Sequence, residues 1–353
     1  MKAYLALEDG LVVEGVSFGA AGESDGELIF NTSLTGYQEV LTDPSYRGQV
    51  VMMTYPLIGN YGVNEEDVES GRVQVEGFVV REVASLFSNW RAKSSLPDYL
   101  KKAGVPGIEG VDTRMLTVHI REKGSMKAVI STTDSNPKSL VAKAKTAKGV
   151  VGQNLVPVVT TSKPYYWQKE GKKKAVVLDC GVKYSILRHL VNAGFRVLVV
   201  PSATPAEDLL SEKPDWVVLS NGPGDPATLT GIVNEVQKLL GKVPIFGICL
   251  GHQILGQAVG GKTYKLKFGH HGGNHPVKDI ATGRVLITVQ NHGFCVDADT
   301  LPKEIKITHR NLNDQSLEGM ESKKLNFRSV QFHPEAGPGP HDALNLFEKC
   351  SQI

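Results

Sequence analysis

From Lys174 onward the chain alternates between strand-like and helix-like stretches, and this alternation constrains the fold more than any other feature. The strand-like runs are short and rich in β-branched residues: "AVVLDCG", "FRVLVVP", "DWVVLS" and "VPIFGI". Apolar runs of this length are typical of strands that are buried on both faces. Between them lie helix-like stretches such as "YSILRHLVNAG", which ends at the helix-terminating Gly194. The alternation predicts an α/β fold with a doubly wound, mostly parallel sheet.

The first part of the chain has a different pattern. The stretches "AYLALEDG", "LVVEGVSFG" and "GELIFNTS" are strand-like and each ends in turn residues, which predicts a β-rich N-terminal domain over residues 1–150. Within it, "VDTRMLTVHIREKG" has the spacing and the final glycine of a helix. The polar stretch 151–173 is predicted to be a linker, or alternatively a surface loop within one domain. The second domain then covers residues 174–353, and two domains suit a chain of 353 residues.

Composition excludes several classes of partner. The net charge of +2 is too small to argue for nucleic acid or an anionic membrane as a partner. No apolar run approaches the roughly 20 residues of a membrane-spanning helix. The four cysteines form no CxxC pair and suit a reducing compartment, and the N-terminus shows no export or organelle signal. We therefore expect a cytoplasmic protein.

One cysteine stands out because of its neighbours. Cys249 lies in "FGICLGHQ", between Gly247 and Gly251, after an apolar run and before a helix-like stretch. The G-x-S-x-G turn of hydrolases has the same layout, with the nucleophile on a sharp strand-to-helix turn. At that position the helix N-terminus favours the thiolate, and the N–H of Leu250 can hold a developing oxyanion. A buried structural cysteine is the alternative, but it would need neither glycine.

Two further segments could complete such a site. His333 ends the strand-like part of "SVQFHPE", and Glu335 follows two residues later on the same side of an extended chain. Pro334 favours this extended geometry, so we expect a base with a carboxylate that orients it. The glycine-rich "SNGPGDP" at 220–226 follows the strand "DWVVL", at the sheet edge where ligands bind. The alternatives are a strand-end histidine with a solvated glutamate, and a plain turn.

Two other patterns are interpreted as coincidental. "GQAVGGKT" at 256–263 matches a phosphate-binding loop, but a helix precedes it and a strand-like run follows, which inverts the required order. The cluster of His270, His271 and His275 lacks a cysteine or carboxylate at ligand spacing, and adjacent histidines point apart. We therefore predict no metal and no nucleotide in this chain.

Taken together, the motifs resemble known families. "GICLGHQ", "SNGPGDP" and "QFHPE" resemble the motifs of a class I (triad) glutamine amidotransferase, over residues 174–353. Further segments resemble the small chain of glutamine-dependent carbamoyl-phosphate synthetase, which extends the resemblance to almost the whole chain. These segments are "FNTSLTGYQEVLTDPSY" at 30–46, "GVDTRMLTVHIREKG" at 110–124, "KFGHHGGNHPV" at 267–277 and "PEAGPGPHDA" at 334–343.

The resemblance implies a role for each residue of the site. Cys249 would attack the side-chain amide of glutamine, His333 would take and return the proton, and Glu335 would orient His333. The N–H groups of Leu250 and Gly224 would form the oxyanion hole. The implied glutamine contacts are Ser45, Gly222, Gly224, Leu250, Gln253, Asn291, Gly293 and Phe294. Because Ser45 lies in the first half, the two domains would pack across the substrate.

The resemblance also implies a partner, which the domain of residues 1–150 would bind. This chain would need no cofactor, and ATP, magnesium and potassium would bind to a large synthetase chain that forms a heterodimer with it and receives the ammonia. That chain would make carbamoyl phosphate for arginine and pyrimidine synthesis. Two alternatives stay open from the residues: a glutaminase subunit of another synthetase, which leaves residues 1–150 unexplained, and a non-catalytic scaffold chain in which Cys249 is a core residue.

Overall fold

The computed structural model describes residues 1–351, with side chains through Glu348, so the side chain of Cys350 lies outside the described part. The chain divides into two compact units. We call residues 1–151 together with 267–271 the barrel unit, and residues 152–266 together with 272–353 the sheet unit.

The barrel unit is built around a closed barrel, which confirms the prediction of a β-rich N-terminal part. Its strands are β1 (Lys2–Leu7), β2 (Val12–Gly19), β3 (Glu23–Asn31), β4 (Gln49–Met53), β5 (Leu57–Ile58), β6 (Gly77–Val79), β7 (Glu82–Val83), β8 (Pro106–Glu109) and β9 (Met126–Ser131). Its helices are α1 (Tyr37–Thr42), α2 (Leu96–Ala103), α3 (Thr113–Lys123) and α4 (Pro137–Thr146). The strand order around the barrel is β1-β2-β8-β6-β4-β3-β9, while β5 and β7 form a separate two-stranded sheet.

Apolar side chains from β1, β3, β4, β6, β8, β9 and α3 form one buried cluster of the barrel unit. Leu5, Leu28, Val50, Ile108 and Ile130 are all fully buried in it. Helix α3 begins after Asp112, whose side chain accepts a hydrogen bond from the N–H of Met115, and it ends at Gly124. This matches the helix predicted from "VDTRMLTVHIREKG".

The sheet unit contains a ten-stranded sheet within the described residues, in the order β10-β12-β11-β13-β14-β19-β18-β17-β15-β16. Its strands are β10 (Tyr165–Gln168), β11 (Lys173–Asp179), β12 (Phe195–Pro201), β13 (Trp216–Leu219), β14 (Ile245–Ile248), β15 (Lys262–Asp279), β16 (Val285–Asp297), β17 (Lys306–Asn311), β18 (Leu317–Ser322) and β19 (Phe327–Val330). Its helices are α5 (Val156–Val159), α6 (Tyr184–Asn192), α7 (Ala206–Ser211), α8 (Thr230–Leu239), α9 (Leu250–Ala258) and α10 (Asn345–Ser351).

The centre of this sheet is parallel, as predicted. Strand β11 pairs in parallel with β12 and β13, and β14 pairs in parallel with β13 and β19. Successive residues of β11 point into different buried clusters. Val176 and Leu178 join α7, α8 and α9, whereas Ala175 and Val177 join α6 and α10. Helices therefore cover both faces, which is the doubly wound arrangement, and antiparallel strands extend the sheet on either side.

The segment 151–173, predicted as a linker, has regular structure of its own. It contains α5 and then β10, which pairs antiparallel with β12 at the edge of the sheet. Its sequence "YYWQ" is rich in aromatic residues, which favour strands, and the Trp167 ring packs 5.0 Å from that of Tyr184 between centroids. Within the described part of the chain, every helix is too short or too polar to cross a bilayer.

Candidate active site

Three of the predicted motifs follow adjacent parallel strands. The segment 220–226 follows β13, Cys249 follows β14, and His333 comes shortly after β19. Because parallel strands end at a common edge, the topology brings these segments together at the carboxyl edge of the sheet.

Cys249 lies on a sharp turn between β14 and α9. Its φ is 54° and its ψ is −102°, a backbone conformation that residues other than glycine rarely adopt. The flanking glycines have a steric reason: a Cβ on Gly247 would lie 2.7 Å from the carbonyl oxygen of Gly251, and one on Gly251 would lie 2.2 Å from that of Leu219. The turn can therefore form only without side chains at these two positions, as the sequence pattern predicted.

The thiol of Cys249 is buried and has two polar neighbours. Its Sγ donates to the carbonyl oxygen of Asn291 at 3.5 Å and accepts from Nε2 of Gln331 at 3.7 Å. Gln253 extends this network from Gln331, because its Nε2 donates to Oε1 of Gln331 at 3.1 Å and to the carbonyl oxygen of Phe294 at 2.8 Å. Hydrogen bonds thus connect Cys249 with three of the predicted glutamine contacts.

His333 and Glu335 form a fully buried pair. His333 Nδ1 lies 2.6 Å from Oε1 of Glu335, and the backbone N–H of His333 donates to the carbonyl oxygen of Val289 at 2.8 Å. Burial alone lowers the pKa of His333, but the charges of Glu335 and Cys249 outweigh it and raise that pKa. His333 Nε2 is buried and has no hydrogen bond of ordinary geometry within the described residues, and Cys249 is close enough to contribute to the raised pKa of His333.

Lys183 forms an ion pair with the glutamate of this His333–Glu335 pair. Its Nζ lies 3.0 Å from Oε1 of Glu335 and donates to the carbonyl oxygen of Ala336 at 2.6 Å, and its side chain is almost fully buried. Burial raises the pKa of Glu335, but Lys183 and His333 outweigh this effect and hold that pKa well below its ordinary value. The result is a buried chain of charges that fixes the carboxylate in its ionised form.

The loop 220–226 is held in place by tight packing. A Cβ on Gly222 would lie 2.1 Å from the carbonyl oxygen of Cys180 and 2.8 Å from Cδ2 of Leu250. Gly224 has a φ of +93°, and a Cβ there would lie 2.7 Å from the carbonyl oxygen of Gln153. Both glycines are therefore required by the packing of the loop.

Asp225 ties this loop to the segment that follows the barrel unit. Its carboxylate accepts from the N–H of Gly152 at 2.8 Å and from that of Ala227 at 2.9 Å. Its own N–H donates to the carbonyl oxygen of Gln153 at 3.0 Å. The first residues of the predicted linker thus support the loop that carries Gly224.

The remaining predicted contacts lie on two other segments. Gly293 and Phe294 lie on β16, and the ammonium of Lys265 lies 5.1 Å from the centre of the Phe294 ring. Ser45 belongs to the barrel unit, in the short 3₁₀ turn Pro44–Tyr46, where its N–H donates to the side chain of Asp43 at 2.9 Å. Its contact with glutamine stays a prediction.

Sequence reasoning missed two residues of this site. Gln331 lies two positions before His333, within a segment that was already singled out, and its spacing alone could have suggested it. Lys183 lies in the loop after β11, which also ends at this edge of the sheet. No local pattern distinguishes it from a surface lysine, and only the fold brings it to Glu335.

Comparison with known proteins gives the site its context. The family model described as "Carbamoyl-phosphate synthase small chain, CPSase domain" matches residues 5–130, and "Glutamine amidotransferase class-I" matches residues 176–353. Curated relatives align over nearly the whole chain and are named carbamoyl phosphate synthase small chain. That of Syntrophotalea carbinolica is 53% identical over 100% of this chain and 98% of its own length. The relative from Aquifex aeolicus is 54% identical over 98% of this chain and 97% of its own length. The relative from Akkermansia muciniphila is 56% identical over 98% of this chain and 96% of its own length.

The chain belongs to the carbamoyl phosphate synthase small chain family. It carries a glutamine amidotransferase domain, and the resemblance inferred from the motifs is confirmed. Since the relatives in this family also align with the first 150 residues, a subunit of an unrelated synthetase no longer accounts for the chain. The family name, small chain, implies a large partner chain.

Proposed function

We propose that this chain hydrolyses glutamine to glutamate and ammonia through a thioester on Cys249, as the glutaminase subunit of a carbamoyl phosphate synthase. The observation that carries the proposal is the strained turn at Cys249, at the same sheet edge as the buried His333–Glu335 pair. Structural cysteines need no such strain, whereas a nucleophile needs a base and an orienting group.

In the first step, Cys249 Sγ attacks the amide carbon of glutamine and its proton passes to Nε2 of His333. The oxygen of the tetrahedral intermediate takes the negative charge and accepts hydrogen bonds from the N–H groups of Leu250 and Gly224. When the intermediate collapses, the carbon–nitrogen bond breaks and His333 gives its proton to the leaving nitrogen. The products are ammonia and a γ-glutamyl thioester.

In the second step, water attacks the thioester carbon while His333 accepts a proton from it. The carbon–sulfur bond then breaks, glutamate leaves, and the thiol regains its proton. Glu335 stays ionised throughout because Lys183 stabilises its charge, so it holds Nδ1 of His333 in the protonated form.

Glutamine would be held by the residues that the family resemblance implies. The proposed contacts are Ser45, Gly222, Gly224, Leu250, Gln253, Asn291, Gly293 and Phe294. For Gln253, Asn291 and Phe294 the proposal is supported by their hydrogen-bonded connection to Cys249 or to Gln331 beside it. Gln331 joins them as a residue that orients the thiol.

The ammonia would pass to the large chain, which would bind ATP, magnesium and potassium and convert bicarbonate to carbamoyl phosphate for arginine and pyrimidine synthesis. Ammonia at neutral pH is mostly ammonium, which is no nucleophile, so direct transfer between the chains preserves its reactivity.

We place the reaction in the cytoplasm, where unpaired thiols such as those of Cys180, Cys249 and Cys295 persist.

An isotope experiment tests the proposal. The complex of this chain and the large chain would be supplied with glutamine labelled with ¹⁵N at the amide, bicarbonate, ATP and an excess of unlabelled ammonium at neutral pH. We expect the label to appear in carbamoyl phosphate, with one glutamate formed for each labelled product. Equal dilution of the label by the free ammonium would contradict direct transfer, and absence of glutamate would contradict the hydrolysis itself.

Replacing Lys183 with methionine should reduce kcat for glutamine hydrolysis by about 10–100-fold, because Glu335 loses the charge that keeps it ionised. Without Lys183 the pKa of Glu335 rises, so the carboxylate takes up a proton at a higher pH. Activity should therefore fall off earlier as the pH is lowered, and pH–rate profiles of the two proteins would measure this shift.

The matched control is Lys174→Met, since Lys174 is a second buried lysine of the sheet unit that pairs with a glutamate, Glu212. That variant should lose stability but keep the parent pH profile. An unchanged profile in Lys183→Met would show that Lys183 contributes to folding only.

A further inference from the structure

One loop of the barrel unit exposes large apolar side chains. We call residues 84–92 the apolar loop. Trp90 is 91% exposed, Leu86 is 84% exposed and Phe87 is 40% exposed. Among the described residues Trp90 is the most exposed large apolar side chain, and a tryptophan left in water at this level forgoes one of the largest burial energies of any residue.

The apolar loop is held by backbone hydrogen bonds to the chain beside β5. The N–H of Ala84 donates to the carbonyl oxygen of Ile58 at 2.8 Å, and that of Ser88 donates to Asn60 at 3.0 Å. Immediately after the loop, the N–H of Lys93 donates to the carbonyl oxygen of Val63 at 2.8 Å. These bonds fix the path of the backbone on both sides of the exposed side chains.

Side chains fix the loop further. Arg91 forms a two-pronged contact with Asp67, with Nη1 2.7 Å from Oδ1 and Nη2 2.9 Å from Oδ2. The loop also packs tightly over Gly62, where a Cβ would lie 2.8 Å from Phe87 and 2.9 Å from Ala92. The exposed side chains are therefore presented by an ordered backbone, which lowers the entropic cost of binding.

The surroundings of the loop have the composition of a protein–protein interface. Leu57 on β5 and Tyr55 just before it are partly exposed. They add apolar surface near the start of the loop, because β5 pairs with β7 and the loop follows β7 directly. Charged residues accompany these side chains: exposed Arg81 and Glu82 precede the loop, and Arg91 within it pairs with Asp67 and lies 5.9 Å from the centre of the Trp90 ring. Exposed apolar side chains that include a tryptophan, with charged groups beside them, are typical of a surface that binds another protein.

We infer that the apolar loop is a docking site for the large chain of the synthase, with Trp90 and Leu86 inserted into an apolar pocket of that chain. This inference rests on the proposed function. The loop lies in residues 5–130, which match the part specific to carbamoyl phosphate synthase small chains, and outside residues 176–353, which match glutamine amidotransferases in general. The proposed chemistry at Cys249 needs nothing from the loop, so binding of the partner peculiar to this family explains the exposed tryptophan.

The test measures binding of the full-length chain to the large chain. Trp90→Ser and Leu86→Ser should each raise the dissociation constant more than tenfold, as expected of residues at the centre of an interface. Ile280→Ser is the matched control, because Ile280 is 47% exposed in a turn of the sheet unit, and it should change the constant by less than twofold. Glutamine hydrolysis by the isolated chain should be the same in all three variants. In the parent complex, amide hydrogens of residues 85–92 should exchange more slowly than in the isolated chain.

The outcomes separate the inference from the proposed function. If the parent binds the large chain and both loop variants bind equally well, the docking site lies elsewhere and the inference is wrong. If the substitutions instead abolish self-association of the isolated chain, the loop binds a second copy, which also overturns it. If the parent neither binds the large chain nor hydrolyses glutamine, the proposed function fails and the inference fails with it.

Discussion

Replacing Cys249 with serine should lower kcat for glutamine hydrolysis by a factor of ~10⁴ or more, because the proposed triad loses its nucleophile. Serine fits the same turn, so the backbone strain at this position and the N–H of Leu250 are preserved. A serine hydroxyl is a far weaker nucleophile than a cysteine thiolate. Release of glutamate from glutamine by the isolated chain and by the complex would measure the loss.

Cys180→Ser is the matched control, because Cys180 is also a fully buried thiol of the sheet unit. Burial raises the pKa of the Cys180 thiol, so this group stays protonated and unreactive. The control variant should hydrolyse glutamine within a few-fold of the parent rate. An alkylating glutamine analogue should modify the parent and the control at one site, and should leave Cys249→Ser unmodified. Modification of the Cys249→Ser variant would identify a different nucleophile.

Replacing His333 with asparagine should lower kcat by about 10²–10⁴-fold, the range that a general base and acid contributes. Asparagine can still donate to Glu335, so the buried carboxylate keeps a partner while the proton carrier is removed. In the parent the pKa of His333 is raised, so the protonation state of the imidazole, and with it the rate, should change little across neutral pH. In the variant the thiol must ionise unaided, so the residual rate should increase as the pH is raised.

His252→Asn provides the comparison for this substitution. His252 is a second fully buried histidine of the sheet unit, and it pairs with Oγ of Ser329 at 2.9 Å. Burial lowers the pKa of His252 to about 3, so this side chain is neutral, and its loss removes no charge. Its variant should retain the flat pH profile of the parent. A flat profile in His333→Asn, or a sloping one in His252→Asn, would contradict the assigned roles.

The parallel centre of the sheet could be predicted because β11, β12, β13 and β14 are short apolar runs and each is followed by a helix. The turn at Cys249 could be predicted because both glycines that it requires, Gly247 and Gly251, lie within two residues of the cysteine, although the contact that excludes a side chain at Gly251 is with Leu219 on β13. The pair His333 and Glu335 is also local, being two residues apart. Chemistry that depends on nearby positions leaves a pattern in the sequence.

Residues brought in from distant parts of the chain left no such pattern. Lys183 reaches Glu335 across 152 positions only because β11 and β19 end at the same edge of the sheet. The segment after residue 151 was interpreted as a linker because it is polar, yet Gly152 and Gln153 hold Asp225, and β10 pairs with β12. The contact of Ser45 with glutamine likewise rests on the family resemblance alone, and it stays a prediction.

The most direct test of the central claim is the activity of the Cys249→Ser chain in complex with the large chain, with glutamine and ammonia supplied in separate experiments. Loss of the nucleophile should stop carbamoyl phosphate synthesis from glutamine, because no thioester can form and no ammonia is released. Synthesis from added ammonia should continue at the parent rate, because the ATP-dependent chemistry belongs to the partner. Synthesis from glutamine that survives the substitution would contradict the account, as would loss of the ammonia-dependent reaction in a complex that still assembles.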